Sequence, residues 1–148
     1  CGDGRFLREV AATFPTTALM GVDASDRAIQ LASALNPELR FQTQDITVAP
    51  VTDLFQTATL IEVIEHIPPA NLPGFLTSVA TRILPGGGIV VTVPHCNKPL
   101  ISKHHQHLTA ATLRETLAPP LHGYRTHSIR RRSKMQSEDV DVRSDSGR

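Results

Sequence analysis

Apolar and polar residues alternate along this chain with two periods, and the changes between them divide it into short segments. Over residues 5–13, Phe6, Leu7, Val10 and Ala11 recur at helical spacing with Pro15 beyond as a stop, which predicts a first helix. Residues 18–22 form an apolar run of strand length that ends at Asp23. Ser25 then offers a capping oxygen to a helix carrying Ile29, Leu31, Ala32 and Leu35, and Asn36-Pro37 closes it. Residues 39–44 set Leu39, Phe41 and Thr43 against Arg40, Gln42 and Gln44, the period of a strand, and Asp45 follows at its end.

The same alternation continues downstream. Residues 57–61 read as an apolar strand whose end carries Glu62-Val63-Ile64-Glu65-His66. Past Pro68-Pro69, the residues Leu72, Phe75, Leu76, Val79, Ala80 and Ile83 share a helical face, and Leu84-Pro85-Gly86-Gly87-Gly88 is a stop and turn. A strand over 89–93, a loop rich in His and Lys, and a short helix over 109–117 complete the patterned region. Beyond residue 118 the apolar periodicity fades, and residues 128–148 are mostly Arg, Lys, Asp, Glu and Ser, so 119–148 reads as a polar, disordered tail to a domain over 1–118. Alternating strands and helices predict an α/β, Rossmann-like three-layer sandwich with a mostly parallel sheet. Such sheets bind ligands beyond the carboxyl ends of their strands, which makes the residues at those ends the candidates for chemistry.

Composition narrows the picture. The length of 148 residues corresponds to one domain or part of one. A formal charge of +1, from 15 basic and 14 acidic side chains, provides no global attraction to nucleic acid or an anionic membrane. Cys1 and Cys96 form no spaced series for disulfides or zinc, and no segment reaches the ~20 apolar residues of a membrane span; the expectation is a cytoplasmic protein. The chain opens at Cys1 directly on Cys1-Gly2-Asp3-Gly4, without Met and without a strand ahead of it, which reads as a missing N-terminal part.

Four strand ends carry groups suited to an adenosine-type ligand. Gly2-Asp3-Gly4 precedes a helix, where glycines let the backbone approach a ligand and the helix N-terminus leaves N–H donors. Asp23 lies about 20 positions on, where a carboxylate accepts from a ribose hydroxyl pair. Asp45 offers an acceptor to an exocyclic adenine amine, with Ile46 to pack on the ring. The bland alternative for both acids is helix capping or solvent exposure. Glu62 to His66 ends the strand expected on the side of the reacting group, and the later cluster His104, His105 and His107, with His95, supplies imidazoles that serve as bases near neutral pH or simply order a loop.

In order and separation, Cys1-Gly2-Asp3-Gly4, Gly21-Val22-Asp23-Ala24-Ser25, Gln44-Asp45-Ile46, Ile61 to Ile67 and Leu84 to Gly88 resemble the motif series of class I S-adenosylmethionine-dependent methyltransferases over residues 1–118. The resemblance implies S-adenosylmethionine as cofactor, held by Gly2, Asp3, Gly4, Asp23, Ala24, Asp45, Ile46 and Glu62. Glu62, Glu65, His66 and His107 are the candidates for acceptor-side catalysis from their places after the 57–61 strand and in the His-rich loop, whereas in family members that use no metal a Glu-His pair after this strand looks mainly structural. The family's first strand and its last two strands are not recognisable here. The implied reaction is methyl transfer to an oxygen or nitrogen of a small molecule or sugar, without a metal, with nucleic acid a less favoured partner and no membrane involved.

Three other readings compete. Glu62-x-x-Glu65-His66 also resembles the metal-ligand motif of small-RNA 3′-end 2′-O-methyltransferases, in which two carboxylates and imidazoles hold a divalent ion. Gly2-x-Gly4 with Asp23 suits a nicotinamide dehydrogenase, although the third glycine position of that fingerprint is Leu7. The absent strand and polar tail fit a non-catalytic fragment or partner-binding remnant.

Overall fold

In a computed structural model the structure describes residues 1–48, 53–94, 102, 104–118 and 125–128, the last four through their backbone. The chain forms two compact units, Cys1–Val51 and Thr52–Arg148.

The first unit contains helix α1 (Arg5–Thr13), strand β1 (Met20–Asp23), helix α2 (Asp26–Leu35) and strand β2 (Arg40–Thr43). The two strands pair in parallel with Met20 opposite Arg40 and Asp23 opposite Thr43, so both carboxyl ends finish level. α2 lies against both strands and buries Ala32 completely. The Ser25 hydroxyl accepts from the Ala28 N–H at 3.3 Å and caps α2, which leaves Asp23 out of the cap role. α1 buries none of its residues, and Phe6 remains exposed despite the helical spacing of its apolar stripe.

In the second unit come strand β3 (Phe55–Ile61), a single 3-10 turn (Ile64–His66), helix α3 (Leu72–Ala80), strand β4 (Ile83–Thr92), helix α4 (Ala110–Leu117) and strand β5 (Arg125–Ser128). The strands form a parallel sheet in the order β3-β4-β5. The α3 face Leu72, Phe75, Leu76, Val79 and Ala80 is buried, and Leu60, Ile64, Ile89, Val91, Leu113 and Leu117 join it in the core. Full burial of one such side chain contributes about 1.5 to 3 kcal/mol, so this unit carries most of the apolar stabilisation among the described residues. Thr109 caps α4 by accepting from the Thr112 N–H at 3.1 Å, with Thr112 reciprocating.

Two features differ from the sequence reading. α3 stops at Ala80, short of the expected end, so that Ile83 opens β4 instead of sharing the helical face, and Leu84 to Gly88 lies inside that strand as a bulge: Phe55 pairs with Ile83 and Thr57 already pairs with Gly88. Gly86 has φ 77°, and a Cβ on Gly87 would stand 2.5 Å from the Gln56 carbonyl oxygen, so glycine is what lets the strand resume after the bulge. Arg125–Ser128, inside the segment assigned to the tail, pairs in parallel with Gly88 to Val91. Among the described residues, no helix is long and apolar enough to cross a membrane.

Candidate functional site

In the first unit, the glycine loop and the strand end are physically tied. Gly2 and Gly4 have φ 57° and 77°, the left-handed region open to glycine, and a Cβ on Gly2 would meet nothing within 4 Å. That face of Gly2 borders open space. A Cβ on Gly4 would lie 2.7 Å from the Phe41 ring, so the loop is pressed onto β2 from below. Asp23 Oδ2 accepts from the Gly2 N–H at 3.0 Å and from the Cys1 amino group at 2.7 Å, while Oδ1 accepts from the Ser25 N–H at 3.0 Å. Burial works to raise the Asp23 pKa, but these amino and amide donors outweigh it and hold the carboxyl below the usual range. Asp23 is therefore a carboxylate at neutral pH, with a side chain 24% exposed.

The other candidates in this unit have different settings. Asp3 Oδ1 accepts from the Arg5 N–H at 3.1 Å and so turns toward the first turn of α1. Ala24 is exposed and Ile46 half-buried. Asp45 follows β2, and the Gln44 N–H donates to the Asp23 carbonyl at 2.8 Å, which keeps the two chain segments adjacent just beyond the strands. Asp45 Oδ1 accepts from the Thr47 hydroxyl at 2.6 Å and the Thr47 N–H at 2.9 Å, and these bonds hold its carboxyl below the usual range.

The second unit gathers its polar groups around the 3-10 turn. Glu62, immediately past β3, has φ 53°, an uncommon conformation for a residue with a side chain. Its N–H donates to the Thr92 hydroxyl at 3.1 Å, and that hydroxyl donates to Glu62 Oε1 at 3.0 Å. Glu65 is only 1% exposed, and neither carboxylate oxygen has a hydrogen-bond partner. Burial pushes its pKa up and the charge of Glu62 adds to this, against its own backbone amide and the imidazoles of His66 and His107.

Imidazoles surround that carboxyl. His66 Nε2 lies 3.9 Å from Glu65 Oε1, the His66 and His104 rings meet edge-on with centroids 4.8 Å apart, and His104 Nδ1 is 2.8 Å from His107 Nε2. The loop bearing them is anchored to the turn, since the His105 N–H donates to the Glu65 carbonyl at 2.8 Å. The His104 pKa is lowered, first by burial and then by His66 and His107, against the charge of Glu62. Glu65, His66 and His104 offer ligand atoms within 4.8 Å of one another and are the described residues able to hold a metal ion. Glu62, by contrast, is bonded to Thr92 rather than grouped with that triad. His95, Lys103, Cys96 and the Arg130-Arg131-Arg132 run lie outside the described residues.

Sequence reasoning missed Asn36, Phe41 and Thr92. Each sits on a strand or helix terminus with an ordinary local explanation, and only the fold brings it against the glycine loop or Glu62.

Comparison with known proteins follows this geometry. Residues 1–133 match the methyltransferase-domain family. Similar solved structures include a SAM-dependent methyltransferase from Archaeoglobus fulgidus, at 18% identity and TM-score 0.66 over 81% of this chain and 57% of that one. Another is the O-methyltransferase of a trans-AT PKS multienzyme of Brevibacillus brevis in complex with S-adenosyl-L-homocysteine, at 17% identity and TM-score 0.63, covering 82% and 43%. A third is SAM-bound CalS10, an amino pentose methyltransferase from Micromonospora echinaspora, at 21% identity and TM-score 0.59, covering 68% and 43%. The chain thus spans between 43% and 57% of the length of these proteins. No curated protein matches it by sequence. With a Rossmann-like arrangement of parallel strands and helices and a family match over most of its length, the chain belongs to the class I S-adenosylmethionine-dependent methyltransferase family.

Proposed function

We propose that this chain is the cofactor-binding part of an enzyme that transfers a methyl group from S-adenosylmethionine to an oxygen or nitrogen of a small molecule or sugar. The observation that carries the reading is the bond from the Gly2 N–H to Asp23, which ties a ligand-accessible glycine backbone to an ionised carboxylate at a strand end. In this reading Asp23 takes the ribose hydroxyls, Gly2 and Gly4 present backbone to the methionine portion, and Asp45 with Ile46 and Ala24 borders the adenine. Bound there, the cofactor supplies a methyl group already activated by its sulfonium. The chain's residues then have to align the acceptor, exclude water and receive a proton if the acceptor loses one.

Glu62, Glu65, His66 and His107 are the groups proposed for that acceptor role. A neutral imidazole beside a buried carboxyl is suited to take a proton near neutral pH. The similar structures include an O-methyltransferase and an amino pentose methyltransferase, which supports oxygen and sugar acceptors as the first to assay. Isothermal titration of the chain with S-adenosylhomocysteine and, separately, with NAD tests the reading. Binding of the first at micromolar Kd and none of the second supports it, and the reverse removes it in favour of a dehydrogenase.

A second reading has one specific observation behind it. The partnerless buried Glu65 with His66 and His104 has the donor set of a divalent-ion site, as a metal-dependent RNA ribose methyltransferase requires. Turnover abolished by chelator and restored by a divalent ion favours that reading; turnover indifferent to chelator favours the metal-free enzyme.

A further inference from the structure

Asn36 is an unusual residue to find almost wholly shielded from water. It is 1% exposed at the end of α2, and its Oδ1 is buried with no hydrogen-bond partner. An acceptor left in that state is destabilising, a penalty that an apolar side chain of similar size avoids. What the asparagine adds is its amide N–H pair. Nδ2 donates to the Ala32 carbonyl at 2.9 Å and, across 33 positions of sequence, to the Asp3 carbonyl at 3.2 Å. The opposite amide orientation would set Oδ1 against two carbonyl oxygens, so the donor assignment is fixed by its surroundings.

The receiving carbonyl belongs to the peptide between Asp3 and Gly4, in the middle of the glycine loop. The same peptide is confined from other sides. The Gly4 N–H donates to the Cys1 carbonyl at 3.2 Å, and Gly4 Cα presses on the Phe41 ring closely enough that a Cβ would collide with both Phe41 and Asn36. Gly2 and Gly4 both have positive φ, so the loop has backbone freedom that something must remove before its amides face a ligand in one arrangement.

We propose that Asn36 is a positioning residue for the cofactor loop: by holding the Asp3 carbonyl down against the end of α2, it fixes the Gly2 to Gly4 backbone in its ligand-binding arrangement. It touches no ligand itself. The inference rests on the reading of that loop as the cofactor cradle, and its test keeps the two separable.

The experiment measures S-adenosylhomocysteine affinity by calorimetry for the full chain, Asn36→Ala, Asn36→Asp and a stability control, Gln30→Gly, which weakens α2 at an exposed position away from Asn36 and the loop. Hydrogen exchange of the peptide covering residues 1–7 is followed in parallel. Loss of one neutral hydrogen bond corresponds to about a five- to tenfold change in an equilibrium constant. The expected result is a Kd raised about five- to tenfold in Asn36→Ala and faster exchange in residues 1–7, with Gln30→Gly unchanged in both at a comparable fall in Tm. Asn36→Asp, which turns a carboxylate toward two carbonyls, is expected to bind at least as poorly; should it fail to fold, Asn36→Ala decides alone. Equal affinity in wild type and Asn36→Ala, or equal losses in Asn36→Ala and Gln30→Gly, overturns the proposal. No binding by wild type overturns the reading of the loop instead.

Discussion

Replacing Asp23 by alanine removes the one carboxylate that joins the glycine loop to the strand end. Two consequences follow from its contacts. The Gly2 and Ser25 amides lose an ionised acceptor, but with the side chain 24% exposed water replaces it, so folding loses only about 1 kcal/mol. Cofactor affinity suffers more. A hydrogen bond to a charged group contributes about 1.5 to 3 kcal/mol, and a ribose diol makes two of them to one carboxylate. Taking the low end for each gives about 3 kcal/mol, a loss on the order of 100-fold in Kd. Asn at this position keeps one acceptor and is expected to lose about tenfold. Calorimetry with S-adenosylhomocysteine reads both values, and circular dichroism verifies that each variant is folded. A folded Asp23→Ala protein that binds within about threefold of wild type would refute the assignment of Asp23 to the ribose.

Further outcomes follow from the second unit and from titration. Glu65→Gln is expected to raise Tm at pH 7.5 in chelator, because burial disfavours the charged form of the wild-type carboxyl, whose oxygens have no hydrogen-bond partner; an unchanged or lower Tm contradicts this. Its folded pKa is raised, so the stability it contributes is full below its unfolded value of about 4.3 and is lost as pH rises through the higher folded value. The Tm of wild type should accordingly fall from pH 5 upward relative to Glu65→Gln. Asp23 and Asp45 have depressed folded pKa values, and their contribution is present above about 3.9 and lost as pH falls further. Below pH 4, therefore, the double variant Asp23→Asn, Asp45→Asn should lose less stability than wild type in thermal melts. Glu62→Gly relieves a left-handed backbone and is expected to gain about 1 kcal/mol in urea unfolding while lowering methyl transfer; a loss of stability would show that the conformation is not strained. Leu76→Ala empties a fully buried core position and should cost about 2 to 5 kcal/mol in the same assay.

The periodic segments were legible in the sequence because their local and tertiary signals agree. The stretch from Arg5 to Thr13, the Ser25 cap and the Thr109 to Leu117 segment all appear with the ends that spacing and capping chemistry imply. Where the two levels part, the sequence misleads. Pro85-Gly86-Gly87-Gly88 carries every local sign of a loop, yet pairing with β3 on both sides keeps it inside one strand as a bulge. β5 has no apolar alternation to announce it, since Arg125–Ser128 is recruited by backbone pairing to β4. α1 shows the converse case: a clear apolar stripe of which Phe6 is exposed and Leu7, Val10 and Ala11 are only half-buried.

At the site, residue types were readable and their partners were not. Asp23 stood out as an acid at a strand end, but its bonds to Gly2 and Ser25 depend on how the loop folds back. Glu65 and His66 adjoin in sequence, whereas His104 reaches them through a loop whose path no local rule predicts. Asn36 reads as a helix terminator in sequence, and its grip on the Asp3 carbonyl exists only in three dimensions.

The account turns on one convergence, that of the opening glycines with two acids from successive strand ends upon a single adenosine. Backbone amide chemical shifts of isotope-labelled chain, titrated with S-adenosylhomocysteine, test it directly. The largest changes are expected at Gly2, Gly4, Asp23, Ala24, Asp45 and Ile46. Changes confined to other residues, or a spectrum that does not respond, would contradict it.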